Sequence, residues 1–293
     1  MKVIVVSNCA TSTYYDVTLS LFPDWTIKAA GFNEAERWLQ SGEKPEFEQY
    51  LKECDLYIGW PLDNLHLATV LNPNAERVII PELYFRGLHP DVAILEGFWG
   101  PFSEGAPHTQ TSLLALGARA IGKTAEETRA LFREDVFERL GYFDLYKSEK
   151  SHVVAEFGKY GIQLDEAFDF WETQNDFFYV CHHPRSFVLV DIARYALKGR
   201  FLDADAFASS ESLRRTQPDR LIVGTEVWPV YPEIARRFGF DGSLTWLRFP
   251  HCSPREMSLS HVIDVIFDSL DKMDDAWKSV PFIAECAKRL EGV

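Results

Sequence analysis

The sequence has little of what marks several common classes of protein. Its 293 residues carry a formal net charge of −14, so it lacks the basic face that binding to nucleic acid requires. No apolar run approaches the roughly 18–20 residues of a membrane-spanning helix, and the run near the first residue is too short for a signal peptide. We therefore expect a protein that binds no nucleic acid and has no membrane span.

Cysteine is scarce as well, with five residues that are scattered along the chain and form no CxxC pair. An odd number of isolated cysteines indicates reduced thiols and a cytoplasmic location. Some cysteines and histidines lie close in sequence and are zinc-ligand types, namely Cys181, His182, His183, His251 and Cys252. Their spacing matches no common zinc site, so we expect no metal.

Several catalytic and nucleotide-binding motifs are absent too. Residues 7–13 follow the first apolar run but contain no glycine, which excludes a Walker loop or a GxGxxG loop there. No GxSxG motif is present, so the nucleophile turn of the α/β-hydrolases is missing. Any ligand site must therefore be built in another way.

What is present over the first 80 residues is an alternation of short apolar runs and helical periodicity. The predicted strands are Val3–Val6, Thr26–Ala30, Leu56–Trp60 and Arg77–Ile80. The predicted helices are Ser12–Phe22, Asn33–Gln40, Pro45–Glu53 and Leu62–Leu71. This order is typical of right-handed crossovers and a parallel sheet, so we predict an α/β subdomain over residues 1–100.

From about residue 101 the pattern becomes mainly helical. Apolar residues recur at helical spacing in Thr111–Ile121, Ala125–Leu140, Asp165–Trp171, Phe187–Leu197, Pro232–Phe238 and Ser258–Leu270. Strands are predicted only at Phe177–Cys181 and Leu221–Val223. No linker separates the two parts. We therefore predict an α/β fold in which residues 101–293 pack on the sheet within one integrated domain.

The segment Ser7–Thr11 is the first of three unusual loops at predicted strand ends, where ligands bind in open parallel sheets. A helix that begins here presents free N–H groups and the positive end of its dipole, which suit a phosphate. Thr11 or Ser12 is predicted to cap that helix. The alternative is a capped, buried turn that binds nothing.

The second loop, residues 79–92, contains Tyr84, His89 and Asp91 among prolines and a glycine. Asp91 is placed to orient the His89 ring and set its tautomer, as in a general base. The alternative is that His89 only forms a hydrogen bond within a turn.

The third loop follows the predicted strand Phe177–Cys181 and reads His182-His183-Pro184-Arg185 before a helix. Arg185 at a helix start is disfavoured by the helix dipole unless an anion is present, which indicates a phosphate or carboxylate ligand. The alternative is a surface arginine with no ligand.

These loops, taken in order, resemble the WcbI family of polysaccharide-biosynthesis proteins. The stretches that carry the resemblance are SNCATSTYYDVTLSLFP, CDLYIGWP, IIPELYFRGLHPD, ERLGYFDLYKSEK, YVCHHPRSFVLVDIARYAL and VWPVYPEIARRFGFDGS. They extend to about residue 245. The chain departs from the family pattern at Ser7, where a glycine is expected, and at His182, where an asparagine is expected.

The resemblance implies a cradle-like α/β fold that binds coenzyme A and transfers an acetyl or other acyl group to a sugar hydroxyl. A sugar hydroxyl needs a general base, for which His89 is the first choice and His183 the second. Asn8 and the N–H groups of residues 9–11 are candidate donors to the oxyanion, or to the CoA pyrophosphate. The candidate cofactor-binding residues are Ser7, Asn8, Cys9, Ala10, Thr11, Tyr84, His182 and Arg185.

The chemistry leaves alternatives open at this point. Cys9 at a helix start is predicted to have a lowered pKa and to carry an acyl group transiently, or else to be a small residue that lines the pocket. The same groups also suit a glycan O-acyl esterase with water as the acceptor. A third possibility is a non-catalytic protein that binds CoA or a nucleotide sugar and assists a partner enzyme in a polysaccharide pathway.

Overall fold

The computed structural model describes residues 1–63, 65–103 and 110–293, with the side chain of Val223 excepted. In chain order the elements up to residue 120 are β1 (Lys2–Ser7), α1 (Thr11–Leu21), β2 (Thr26–Gly31), α2 (Phe32–Ser41), α3 (Pro45–Glu53), β3 (Leu56–Gly59), α4 (His66–Val70), β4 (Glu76–Ile79), β5 (Val92–Ile94), β6 (Gln110–Ser112) and α5 (Leu113–Ala120).

The remaining helices and strands follow α5 in the second part of the chain. They are α6 (Ala125–Arg129), α7 (Glu134–Leu140), α8 (Tyr142–Gly158), α9 (Asp165–Glu172), β7 (Phe178–Val180), β8 (His183–Pro184), α10 (Ser186–Leu197), α11 (Ala204–Ser209), α12 (Leu213–Thr216), α13 (Pro232–Ala235), β9 (Thr245–Leu247), β10 (Glu256–Ser258), α14 (Leu259–Leu270) and α15 (Pro281–Leu290). Among all described residues, no helix is both long and apolar enough to cross a membrane.

The chain forms two compact units that interleave along the sequence. Unit 1 comprises residues 1–83, 152–171 and 184–221. Unit 2 comprises residues 84–151, 172–183 and 222–293. The sequence predicts a boundary between two parts of the chain at about residue 100, and that boundary stays a prediction.

Unit 1 is built on a four-stranded parallel sheet in the order β2-β1-β3-β4, which confirms the predicted α/β class. Its central strands β1 and β3 are short, buried apolar runs because helices cover both faces. Side chains on one face of β1, such as Ile4 and Val6, pack with α2, α3 and α4 in a buried cluster. Helices α1 and α10 contact each other, α1 also contacts β1 and β2, and α10 contacts β4.

The carboxyl edge of this sheet requires a glycine at one position. Val6 of β1 pairs with Gly59 of β3, and a Cβ at Gly59 would lie 1.9 Å from the Val6 carbonyl oxygen. The N–H of Trp60 also donates to that oxygen at 3.1 Å. Because Gly59 has no side chain, the backbones of β1 and β3 approach each other closely immediately before their loops begin.

A buried charge cluster fixes α10 within unit 1. The fully buried Asp191 accepts hydrogen bonds from Arg194 and Arg214, both at 2.7 Å, and from Trp171 Nε1 at 2.9 Å. A buried carboxylate is tolerated when its oxygens are satisfied in this way. The cluster therefore holds the helix whose N-cap residue is Arg185.

Unit 2 combines helices with the antiparallel pairs β5–β6 and β9–β10. Helix α15 contacts α5 and α7, and α14 contacts α5 and α6. The approach of α15 to α5 is close, since a Cβ at Gly117 would lie 2.6 Å from Cys286 Sγ.

The strands of the first 80 residues lie within one residue of their predicted bounds, whereas later predictions differ more. The predicted helix Ala125–Leu140 is divided into α6 and α7, and Leu221–Val223 is wrong as a strand because residues Leu221–Gly224 form a 3-10 helix. The predicted helix Leu62–Leu71 is reduced to α4. Helices α8 and α15 were not predicted.

Candidate functional site

The loop between β1 and α1 is organised by Asn8. The Asn8 side-chain oxygen accepts the N–H of Ala10 at 3.0 Å, and its carbonyl oxygen accepts the N–H of Thr11 at 3.1 Å and the Thr11 hydroxyl at 2.7 Å. An asparagine favours such a turn because its side chain hydrogen-bonds the backbone two residues on. Two of the N–H groups predicted to face a ligand are therefore used within the loop.

The start of α1 lacks the predicted side-chain cap. Its N-cap residue is Ala10, which has no side-chain acceptor, so the prediction that Thr11 or Ser12 caps the helix is wrong. The N–H groups of Ser12 and Thr13 lie in the first turn and have no partner inside the helix. Within the described residues the buried Thr13 hydroxyl also has no hydrogen-bond partner. Helix α1 thus begins with donors still available.

A cleft of about 670 Å³ lies against the edge strand β2 of unit 1, and we refer to it as the edge cleft. It is lined by Cys9, Thr11, Ser12, Tyr15, Ile27, Lys28, Ala29, Ala30, Gly31, Glu34, Trp38, Lys44, Glu46 and Phe47. Its volume is within the ~300–1,000 Å³ typical of small-molecule sites. The uncapped start of α1 therefore borders a cavity large enough for a cofactor.

Two exposed lysines in the edge cleft are held against aromatic rings. Lys44 Nζ lies 3.6 Å from the centre of the Trp38 ring, and Lys28 Nζ lies 4.5 Å from that of Tyr50. Cation–π contacts of this kind restrict a flexible side chain. Two acidic residues, Glu34 and Glu46, also line the cleft, which therefore carries both positive and negative side chains.

Cys9 is an exposed residue of this cleft whose thiol is not activated. Desolvation by surrounding protein atoms raises the pKa of Cys9 above its ordinary value, and the Glu82 carboxylate adds to that rise, while the N–H groups of Cys9 and Ala10 oppose it. The prediction of a lowered pKa is therefore wrong. Asn8 Nδ2 donates to the same Glu82 carboxylate at 3.1 Å, and Ser7 is buried behind it.

A second group of predicted residues lies in unit 2, around His183. The Thr225 hydroxyl donates to the Glu226 carbonyl at 3.0 Å and lies 2.5 Å from His183 Nδ1. Because a hydroxyl has one proton, His183 Nδ1 is the donor to Thr225. This tautomer places the basic lone pair of His183 on Nε2.

His182 and Tyr84 surround the buried Cys181 in the same unit. The His182 ring is 4.0 Å from that of His183 and lies 3.3 Å, at Nε2, from Gln110 Nε2. Tyr84 forms a side-chain hydrogen bond with Cys181, whose burial raises its pKa to about 12. Cys181 is therefore a neutral thiol that packs in the cluster.

His89 is almost fully buried, and its Nε2 donates to the Trp228 carbonyl at 3.0 Å. Asp91, which the sequence paired with His89, serves another network in unit 2. Its carboxylate accepts from Tyr142 at 2.6 Å, Tyr231 at 2.7 Å and the N–H of Leu114 at 2.8 Å. Burial raises the pKa of Asp91, and these donors partly offset that rise.

Arg185 is the N-cap residue of α10, as the sequence predicts, but an anion of the protein itself already lies there. The carboxylate of Asp219 accepts the N–H of Ser186 at 3.2 Å in the first turn of the helix. The negative charge that the sequence attributed to a ligand is therefore available from within unit 1.

The predicted site residues thus fall into three groups. Ser7, Asn8, Cys9, Ala10 and Thr11 lie together at the start of α1, with Arg185 at the start of α10, both in unit 1; Tyr84, His89, His182 and His183 lie in unit 2. Sequence reasoning missed Lys28, Lys44 and Thr225. A lysine inside the short strand TIKAAG was a usable signal for the first, whereas no local pattern indicated Thr225.

The fold and the edge cleft define an α/β protein with a cavity beside the edge strand of a parallel sheet. Residues 2–200 match the family model described as "Polysaccharide biosynthesis enzyme WcbI". The chain therefore belongs to the WcbI family, as its motifs predicted.

Known proteins also support the fold. A solved structure described as WcbI, a novel polysaccharide biosynthesis enzyme, in its native form without a disulfide bond between CoA and one of its cysteines, has a TM-score of 0.66 to this chain. The two share 15% identity, and the match covers 98% of each chain. At that identity the likeness shows the fold. Among curated proteins, none matches this sequence.

Proposed function

We propose that this protein binds acyl-CoA in the edge cleft and transfers the acyl group to a hydroxyl of a sugar. The observation that carries the proposal is the edge cleft itself, which combines an uncapped helix start, two lysines held on aromatic rings and an exposed cysteine. Membership in a family of polysaccharide biosynthesis enzymes supports a sugar acceptor.

The position of Cys9 indicates which end of acyl-CoA lies at the start of α1. The solved WcbI is described as a native protein without a disulfide bond between CoA and one of its cysteines, so its description names a cysteine together with CoA. Cys9 is the cysteine that lines the edge cleft here, whereas Cys54, Cys181 and Cys286 are buried. We therefore place the thioester end of acyl-CoA beside Cys9.

This placement decides between the two uses left open for the α1 loop. The pantetheine arm of CoA separates its sulfur from its pyrophosphate, so one helix turn does not serve both. With the thioester beside Cys9, the N–H groups of Ser12 and Thr13 serve the oxyanion, a role in which a donor contributes about 3–4 kcal/mol. Lys28 and Lys44 then hold the phosphates along β2. Asn8 acts by shaping the turn, because its amide donates to Glu82.

In the reaction, a sugar hydroxyl attacks the thioester carbonyl carbon. The new C–O bond forms, the C–S bond breaks, and the hydroxyl proton passes to a base, while CoA leaves as a thiolate that takes up a proton. Of the two candidate bases from sequence, the contacts favour His183, whose Nδ1 is held by Thr225. His89, the first choice from sequence, is instead buried with Nε2 bonded to Trp228. A positioned base contributes about 10²–10⁴-fold in rate.

Thermal unfolding with CoA, and with a panel of nucleotides, tests the ligand. CoA at a hundred times its dissociation constant should stabilise the folded protein by about 2.7 kcal/mol, because it binds only that state. No shift with CoA or acetyl-CoA would exclude the edge cleft as a CoA site.

Product analysis with acetyl-CoA and a sugar tests the reaction. Acetylated sugar supports transfer, whereas free acetate alone indicates an esterase, and no turnover with intact CoA binding indicates a non-catalytic partner. Near-normal transfer by Cys9→Ala is expected, since the raised pKa of this thiol disfavours a covalent intermediate.

A further inference from the structure

Unit 2 contains a second cavity that the edge cleft does not explain, of about 440 Å³, and we refer to it as the polar pocket. It is lined by Asn175, Asp176, Val227, Trp228, Pro229, Val230, Phe240, Asp241, Gly242, Ser243, Thr245 and Leu247. All of these residues belong to unit 2. Its volume is again within the ~300–1,000 Å³ of small-molecule sites.

The side chains of the polar pocket select by charge. Two carboxylates, Asp176 and Asp241, line it, and no lysine, arginine or histidine is among the described residues that do so. A phosphate or pyrophosphate placed here would face the like charge of these carboxylates. The ligand of this pocket is therefore neutral or cationic, and CoA and nucleotide sugars are poor candidates.

The remaining groups suit a polyhydroxylated molecule. Ser243 and Thr245 carry hydroxyls, Asn175 carries an amide, and carboxylates accept hydrogen bonds from hydroxyl groups. The half-buried ring of Phe240 offers an aromatic face, whose negative potential attracts the polarised C–H groups of a sugar ring.

The walls of the polar pocket are fixed by backbone contacts. Val227 and Leu247 exchange two hydrogen bonds of 2.8 and 2.9 Å, and the N–H of Ser243 donates to the Val230 carbonyl at 2.9 Å. A Cβ at Gly242 would lie 2.6 Å from the Val230 carbonyl oxygen, so only glycine lets this segment close. The pocket is thus preformed rather than assembled by a ligand.

The segment 225–230 connects this pocket to the candidate bases. Thr225 binds the His183 ring, the Trp228 carbonyl binds the His89 ring, and residues 227–230 line the pocket. A ligand here lies beside the chain segment that orients both histidines.

We propose that the polar pocket binds a neutral pyranose. This binding does not depend on the proposed function. Carboxylate and aromatic groups orient the sugar, and the carboxylates disfavour its phosphorylated forms.

Ligand-observed NMR on the full chain without CoA tests the binding directly. The probes are methyl glycosides of the neutral hexoses, with UDP-glucose as the anionic comparison. We expect at least one glycoside to bind and UDP-glucose not to displace it. Asp241→Asn and Phe240→Ala should each weaken binding about tenfold, because each removes a direct contact.

Matched variants in the same unit control for general effects. Asp268→Asn and Phe282→Ala alter exposed residues outside the pocket and should leave binding unchanged. No binding of any glycoside, or binding that both pocket variants leave intact, overturns the proposal. If the protein binds a glycoside but does not bind CoA, only the proposed function is overturned.

Discussion

The edge cleft of unit 1 and the polar pocket of unit 2 are both small-molecule cavities, yet they differ in charge and in construction. The edge cleft has two lysines, two glutamates and an uncapped helix start, while the polar pocket has two aspartates and no cation among its described lining residues. The edge cleft lies beside the open edge strand of a parallel sheet. The polar pocket lies between irregular segments that close around a glycine. In our proposals, the lysines of the edge cleft suit an anionic cofactor, and the polar pocket, which has no such cation, suits a neutral sugar.

The largest expected effect concerns the base. His183→Ala should lower kcat for acyl transfer about 10²–10⁴-fold, because the sugar hydroxyl loses its proton acceptor. The KM for acetyl-CoA should stay unchanged, since the lysines that hold it lie in unit 1. Steady-state kinetics with both substrates varied measures this difference. His261→Ala, an exposed histidine of α14, is the matched control, and equal loss in both variants would remove His183 from the mechanism.

A smaller effect is expected from the lysines of the edge cleft. The double variant Lys28→Gln and Lys44→Gln should raise the dissociation constant of CoA about 10–100-fold, since each lysine supplies a charge-assisted bond to phosphate. Calorimetry at two salt concentrations measures it, and salt should reduce the effect by screening. Lys52→Gln, which alters an exposed lysine of α3 outside the cleft, is the matched control and should leave CoA binding unchanged. Sugar binding in the polar pocket that fell in parallel would show that the two cavities are not separate.

The smallest effect concerns Cys9. Its pKa lies above the ordinary 9.0, so its thiolate fraction at neutral pH is lower than that of a free cysteine. Alkylation by iodoacetamide at pH 7 should be severalfold slower than for a model thiol, and its rate should still rise with pH beyond the ordinary value. Mass spectrometry of the modified peptide follows it, with Cys9→Ser as the blank. A rate that levels off below pH 9 would indicate an activated thiol instead.

The strands of the sheet could be predicted closely because their signal is local. Val3–Val6 and Leu56–Trp60 are short apolar runs between helical patterns, and only a buried parallel strand accounts for both features. The helix Ala125–Leu140 was predicted too long because its apolar period continues across residues 130–133, where Arg133 precedes the start of α7. Periodicity measures the burial of a face and does not report where the backbone turns.

The sequence predicts which loops carry the candidate-site residues, but it does not predict the hydrogen-bond partners of those residues. Asn8, Cys9 and His89 lie in loops, as expected, and His183 lies in the short strand β8, but Asn8 shapes its own turn and Asp91 binds two tyrosines rather than orienting His89. The lysines of the edge cleft were missed because they come from β2 and from the residue before α3. A cavity that several elements share leaves no pattern in any one of them.

By itself the sequence determined the parallel sheet, the family and the loops that carry chemistry, because these depend on the order of short local patterns. Only the tertiary structure decided which groups remain available to a ligand. It gave Ser186 the carboxylate of Asp219, His183 the hydroxyl of Thr225 and Asn8 the carboxylate of Glu82, in contacts that span 33, 42 and 74 residues of chain. Such contacts arise when distant segments pack, and no local pattern encodes them.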